Sequence, residues 1–239
     1  PPSPPMGSAT KESLLGTSRT TASNRRSKHG WGAAAIDESV AHSVGQKADT
    51  ADNGRAPRAG PASSGIQLLE AAREGNLAAV ETMLDNGVDV DFKSFWGVTA
   101  LMAASQNGHT LIVRKILNSS AMVDLVDEDG WTALIYAAWN GHGSVVSTLL
   151  DFGATVDPVT EWEATALIVA AQNGHAPVVQ RLLDSGAAVD LVDEWGRTAL
   201  MLAPLNGHTH VVQQLLDSGA AVDLVDVVKG YCLKALPLI

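Results

Sequence analysis

The sequence predicts an all-α repeat solenoid of stacked helix pairs, preceded by a disordered tail. Three observations carry this. Thr99, Thr132, Thr165 and Thr198 stand 33 residues apart, and each is followed by Ala-Leu. Nine residues after each threonine comes Gly-His: Gly108-His109, Gly141-His142, Gly174-His175 and Gly207-His208. An aliphatic set at helical spacing follows each pair, as in Val145-Val146 with Leu149-Leu150. A fixed period in this range marks supersecondary units that bury their apolar faces on one another.

Residues 1–65 read as the tail. Ser, Thr, Gly and Pro make up 29 of these 65 residues, and Trp31 is the only aromatic. Such a segment cannot bury enough apolar area to offset the entropy of ordering it. Pro1-Pro2-Ser3-Pro4-Pro5 has polyproline spacing, and Arg25-Arg26-Ser27-Lys28 is a small basic cluster that reads as solvated linker. The chain opens at Pro1 with Met6 as its first methionine, which reads as a fragment or an uncertain start.

Residues 66–91 read as an opening half-unit. Ile66 to Arg73 has helix-forming residues with an apolar stripe. Gly75 supplies a left-handed cap, and Leu77, Val80, Met83 and Leu84 line a second short helix. Four units follow, at 92–124, 125–157, 158–190 and 191–223. In each, a polar turn precedes the threonine, whose hydroxyl caps a short helix. Small residues (Ala104, Ala137, Ala170, Ala203) allow neighbouring helices to approach closely, and Asn-Gly-His ends the helix. The aliphatics of a second helix bury against the next unit, at roughly 1.5–3 kcal/mol per side chain. Gly-Ala-x-Val-Asp, as in Gly153 to Asp157, turns the chain onward. At 224–239, Leu224-Val225-Asp226 starts a fifth finger and the text then leaves the pattern, as an incomplete unit or irregular end.

Thr-Ala-Leu-x-x-Ala-Ala/Ser, Asn-Gly-His, Val-Val-x-x-Leu-Leu and Gly-Ala-x-Val-Asp, held in phase over about residues 66–226, resemble ankyrin repeats. The resemblance implies β-hairpin fingers, an inner and an outer helix per unit, and a concave face that binds other proteins. It implies no catalytic activity. Alanine replaces the family's proline after each threonine, and Met102, Ile135, Ile168 and Met201 stand where the family often has histidine. Ser120 and Glu163 occupy glycine positions. Pro177 lies early in its helix and is tolerated there. Pro204 lies late in the fourth inner helix, where an interior proline costs ~3 kcal/mol, so the fourth unit is expected to be frayed or distorted.

Regular positions explain folding, so recognition is sought at the irregular ones. Trp96, Trp162 and Trp195 stand just before the turn glycine or its replacement, Trp131 just after one, and Trp139 on the inner helix. Acids surround them, including Asp129, Glu161 and Glu194. Aromatic anchors dominate protein interfaces. These eight residues are the expected partner-binding row; the alternative is that the indoles pack finger on finger and the acids serve solubility. The first reading expects a variant with Trp131→Ala and Trp139→Ala to lose its partner and keep its thermal melt.

Composition narrows the partner. Residues 66–239 hold 8 Lys/Arg against 21 Asp/Glu, whereas residues 1–65 hold 8 against 5. An acidic body repels phosphate, which opposes nucleic-acid binding, and suits a basic partner with an apolar anchor. No apolar run approaches the ~18–20 residues of a membrane helix. Cys232 is the only cysteine, compatible with a reducing intracellular compartment, cytoplasmic or nuclear. The four histidines fall one per unit, too far apart to share a metal, and are expected to bond loop backbone. The Asp127-x-Asp129-Gly130 stretch fails as a calcium loop, since the first and twelfth ligand positions would be Leu125 and Tyr136. No nucleophile-elbow, phosphate-loop or dinucleotide motif is present. The expectation is a monomeric, non-catalytic interaction module without cofactor or metal. The alternatives are the targeting region of a larger enzyme of kinase or ubiquitin-ligase type, and a structural spacer.

Overall fold

The computed structural model describes residues 61–222; the readings made for 1–60 and 223–239 lie outside them. Ten helices occur among the described residues, two per unit: α1 (Pro61–Glu74), α2 (Leu77–Asp85), α3 (Ala100–Gln106), α4 (Thr110–Asn118), α5 (Ala133–Trp139), α6 (Gly143–Asp151), α7 (Ala166–Gln172), α8 (Ala176–Asp184), α9 (Ala199–Leu205) and α10 (Thr209–Asp217). The odd-numbered helices pack on one another in chain order, as do the even-numbered ones, so two layers run the length of the stack.

The first helix of each full unit starts where a threonine stands. The hydroxyls of Thr99, Thr132, Thr165 and Thr198 accept the backbone N–H of Met102, Ile135, Ile168 and Met201 at 3.2–3.3 Å. These residues fill the family's histidine place and are buried. Ala104, Ala137, Ala170 and Ala203 are fully buried between inner helices. The outer helices bury Ile112, Val113 and Ile116, then Val145, Val146 and Leu149, then Val178, Val179 and Leu182, then Val211 and Leu215.

α1 starts at Pro61, ahead of the apolar stripe that opens at Ile66. Its serines and glycine are weak helix formers, but the Phe92 ring lies on Gly65 where a Cβ would stand. Tertiary packing overrides propensity here.

Three ladders lace neighbouring units. In the first, each Asn-Gly-His histidine bonds backwards: Nε2 of His109, His142, His175 and His208 lies 2.9–3.1 Å from the carbonyl oxygens of Arg73, Gln106, Trp139 and Gln172. The backbone reading of the histidines is what the structure shows. In the second, Asp91, Asp124, Asp157 and Asp190 accept the N–H of Met122, Thr155, Ala188 and Ala221 at 2.9–3.0 Å. The third joins the fingers, through Glu128 N–H to Trp96 O at 3.1 Å, Glu161 N–H to Asp129 O at 2.9 Å and Glu194 N–H to Trp162 O at 2.9 Å.

The fingers correct one expectation. Among the described residues there is no β-strand, so the fingers are turns rather than hairpins. Each closes on a backbone bond, from the N–H of Ser94, Asp127, Thr160 and Asp193 to the carbonyls of Val98, Trp131, Ala164 and Arg197. One such bond per finger and one between fingers is too little for a strand ladder.

Pro204 does not shorten its helix. α9 spans the same seven residues as its counterparts. The distortion is confined to its end. Asn107, Asn140 and Asn173 donate their side-chain amides to the carbonyls of Ala103, Tyr136 and Val169, four residues back, whereas Asn206 donates to Gln172 of the preceding unit.

Candidate binding face

The finger tips are built by one polar side chain each. Ser94, Asp127, Thr160 and Asp193 turn inward and accept N–H groups across the turn, as in Trp131 N–H to Asp127 Oδ1 at 2.8 Å and Arg197 N–H to Asp193 Oδ1 at 2.9 Å. The following two residues are thereby pushed outward. They are Phe95-Trp96, Glu128-Asp129, Glu161-Trp162 and Glu194-Trp195.

The fourth tip residue requires positive φ. Gly97 and Gly130 supply it, and a Cβ on Gly130 would stand 3.0 Å from Glu161 N of the next finger. Glu163 takes the same backbone region at φ 58°, and Ser120 takes its glycine position at φ 65°. A non-glycine residue there costs ~1–2 kcal/mol.

The structure divides the indoles into two groups. Trp96, Trp162 and Trp195 are half-buried on the fingers, with exposed acids Glu128, Asp129, Glu161, Glu163 and Glu194 beside them. Trp131 and Trp139 are only 4% and 7% exposed and belong to the core. Trp131 packs against Tyr136 at 5.1 Å and edge-on to Trp139 at 5.7 Å. Neighbouring units carry smaller side chains at the places of Trp131 and Tyr136, Val98 and Ala103 before, Ala164 and Val169 after, and glutamines, Gln106 and Gln172, at the place of Trp139. The expectation that removing both leaves the melt unmoved does not suit this burial.

Sequence reasoning missed Phe95. It is 80% exposed, and its ring meets Trp96 edge to face at 5.1 Å. The signal was its register: it stands where the later fingers place Glu128, Glu161 and Glu194.

Two polar pairs support the tips from beneath. Tyr136 Oη donates to Asp127 Oδ2 at 2.6 Å. Burial holds the Asp127 carboxyl above the usual carboxylate range, against the lowering effect of Tyr136 and two backbone N–H groups. Burial also raises the Tyr136 phenol, reinforced by the Asp127 charge. In the fourth finger Asp193 is fully buried and pairs with Arg197 at 2.6 Å, whose guanidinium lies 4.5 Å from the Trp195 ring centroid. Both carboxylates are consumed in shaping turns.

Among the described residues no group of three or more His, Cys, Asp or Glu is placed to hold a metal, and no helix is long and apolar enough to cross a membrane.

Comparison with curated proteins finds no match. A family model described as ankyrin repeats (3 copies) matches residues 68–160 and again 153–226. Ankyrin repeats are in general protein–protein interaction modules, typically without catalytic activity. The match spans well over half of the sequence, and the capped helix pairs and phased histidines of the stack agree with it: the chain belongs to the ankyrin repeat family.

Proposed function

We propose that the chain is a non-catalytic, monomeric module that binds a basic protein segment along its fingers, with an apolar residue of that segment seated at the Phe95–Trp96 end. The observation that carries this is the make-up of the tips. Five exposed acids lie beside three half-buried indoles and one exposed phenylalanine. Nearby basic groups are engaged: Lys93 Nζ donates to Val126 O at 2.8 Å, and Arg197 pairs with Asp193. Glu163 adds support. A glutamate kept in a left-handed turn at a cost in stability fits a role beyond folding.

The binding residues in this reading are Trp96, Asp129, Glu161, Trp162, Glu194 and Trp195, with Phe95, Glu128 and Glu163 added. Trp131 and Trp139 set the shape of the second finger and inner helix from beneath. A single cysteine supports a reducing intracellular setting, cytoplasmic in the first instance.

A displayed library of random twelve-residue peptides tests this. The expected enrichment is for Lys/Arg flanking one apolar residue, with binding that weakens as salt rises. A variant with Glu161→Lys, Glu163→Lys and Glu194→Lys should lose about tenfold or more in affinity for those peptides, the scale of a lost charge complementarity. Selection of the same peptides with equal affinity by both proteins would refute the reading.

A further inference from the structure

The fingers carry two columns of outward side chains, one residue of each column per finger. Lys93, Val126, Val159 and Val192 form the first column; Phe95, Glu128, Glu161 and Glu194, two places on, form the second. All eight are exposed, while Ser94, Asp127, Thr160 and Asp193 between them turn inward. Alternation of this kind puts residues i and i+2 on one side of an extended limb, about 7 Å apart. Val126, Val159 and Val192 are 42%, 51% and 41% exposed. Single exposed valines are ordinary, but three at one offset make a stripe beside a stripe of carboxylates.

Finger spacing decides what can lie across both columns. Each finger has two limbs, and Glu128 N–H to Trp96 O and Glu161 N–H to Asp129 O join one finger to the next. Hydrogen-bonded limbs stand ~4.8 Å apart, so equivalent residues recur at about 10 Å. Seven residues of an α-helix rise ~10.5 Å in nearly two turns. Residues seven apart therefore meet successive fingers from one helix face. The residue four places from each is its neighbour on that face, about 5–6 Å away, and reaches the second column. An extended segment covers about 10 Å in three residues, but its side chains then point to alternate sides. A polyproline helix covers ~9 Å in three residues, yet its faces are about 120° apart and one column stays unmet.

We propose that the segment held on the fingers is a basic amphipathic helix. Its apolar residues, seven apart, lie on Val126, Val159 and Val192, and a Lys or Arg four places from each lies on Glu128, Glu161 and Glu194. This rests on the basic-segment reading above and adds the conformation and register of the partner. At the first finger the columns exchange chemistry. Phe95 stands in the acid column, and Lys93, whose Nζ donates to Val126 O at 2.8 Å, stands in the valine column. The basic stripe of the helix therefore gives way to an apolar residue at that end, which sets the direction in which it lies along the stack.

Two synthetic peptides of one composition test this against the full chain. The phased peptide has leucine at every seventh residue and arginine four places after each, in an alanine–glutamine background. The scattered peptide spreads the same leucines and arginines around all sides of the helix. By fluorescence anisotropy the phased peptide should bind at least about tenfold more tightly, since its leucines alone reach the valines together. Circular dichroism should show helix gained on binding. Val126→Ser, Val159→Ser and Val192→Ser together should erase the advantage while leaving the stack folded, because these side chains are exposed. Equal affinity for the two peptides, or an advantage that survives the valine changes, overturns the helix. If both peptides still weaken on the variant with Glu161→Lys, Glu163→Lys and Glu194→Lys, the basic-segment reading stands without it. If neither peptide binds the unaltered chain, both readings fall.

Discussion

The histidine ladder makes a prediction that can be worked from two glycines of one unit. Gly141 and Gly153 both have positive φ, 75° and 86°. A Cβ on Gly153 meets nothing within 4 Å, whereas one on Gly141 would stand 2.5 Å from Nδ1 of His175. Gly153→Ala should therefore cost only the left-handed backbone penalty, ~1–2 kcal/mol. Gly141→Ala should pay the same penalty and also displace the imidazole. The His175–Trp139 bond, 2.9 Å long, is then lost. A net hydrogen bond is worth ~0.5–1.5 kcal/mol, and a buried carbonyl left unpaired raises the loss to ~1–3 kcal/mol. The expected total for Gly141→Ala is about 2–5 kcal/mol, with at least ~1 kcal/mol separating the two glycines.

Urea unfolding followed by circular dichroism reads both values, and a double-mutant cycle with His175→Ala assigns the difference. Once Gly141→Ala has expelled the ring, removing the ring should cost little more, so the two effects should fall short of additivity by about 1 kcal/mol. Equal losses at the two glycines, or full additivity in the cycle, would refute the claim that this histidine staples one unit to the last.

Three further outcomes follow from the same geometry. Trp139→Ala should destabilise the stack by roughly 3–5 kcal/mol, as for other enclosed aromatics, and lower the thermal midpoint; an unmoved melt would return this indole to the binding surface. Burial holds the His175 imidazole below its ordinary 6.5, with the His142 and His208 charges acting the same way and the Trp139 carbonyl opposing. The unfolded chain then takes up the proton first, so this contribution is intact above pH 6.5 and is lost as pH falls from there through the folded value. The urea midpoint should drop between pH 7.5 and 5.5, less so in His175→Gln; Asp127, held high by burial, pulls the other way at the acid end. Glu163→Gly should raise stability by about 1–2 kcal/mol by relieving the left-handed strain, while weakening binding of basic peptides.

Most of the stack was legible because its interfaces are written at fixed offsets. The carbonyl of Gln106 waits for His142, 36 residues on, and the carboxylate of Asp124 for the N–H of Thr155, 31 residues on. A 33-residue repeat brings such partners into register wherever they occur, so a capping threonine or a phased Gly-His read from the text already implies the contact. The binding face is less legible for the opposite reason. In the proposed reading recognition rests on departures from the repeat, and a departure does not announce which way it points. Trp131 and Trp162 look alike as irregular tryptophans near a turn. The first falls one place after its glycine, on a position where Val98 and Ala164 are also buried, and it is enclosed. The second falls one place before the positive-φ residue, on the tip itself, and stays half exposed. A two-residue offset within the turn separates core from surface, and that offset is readable once the turn is known to close on the residue four places before Trp131. The register of the finger, rather than the identity of its aromatic, decides which side chains a partner can meet.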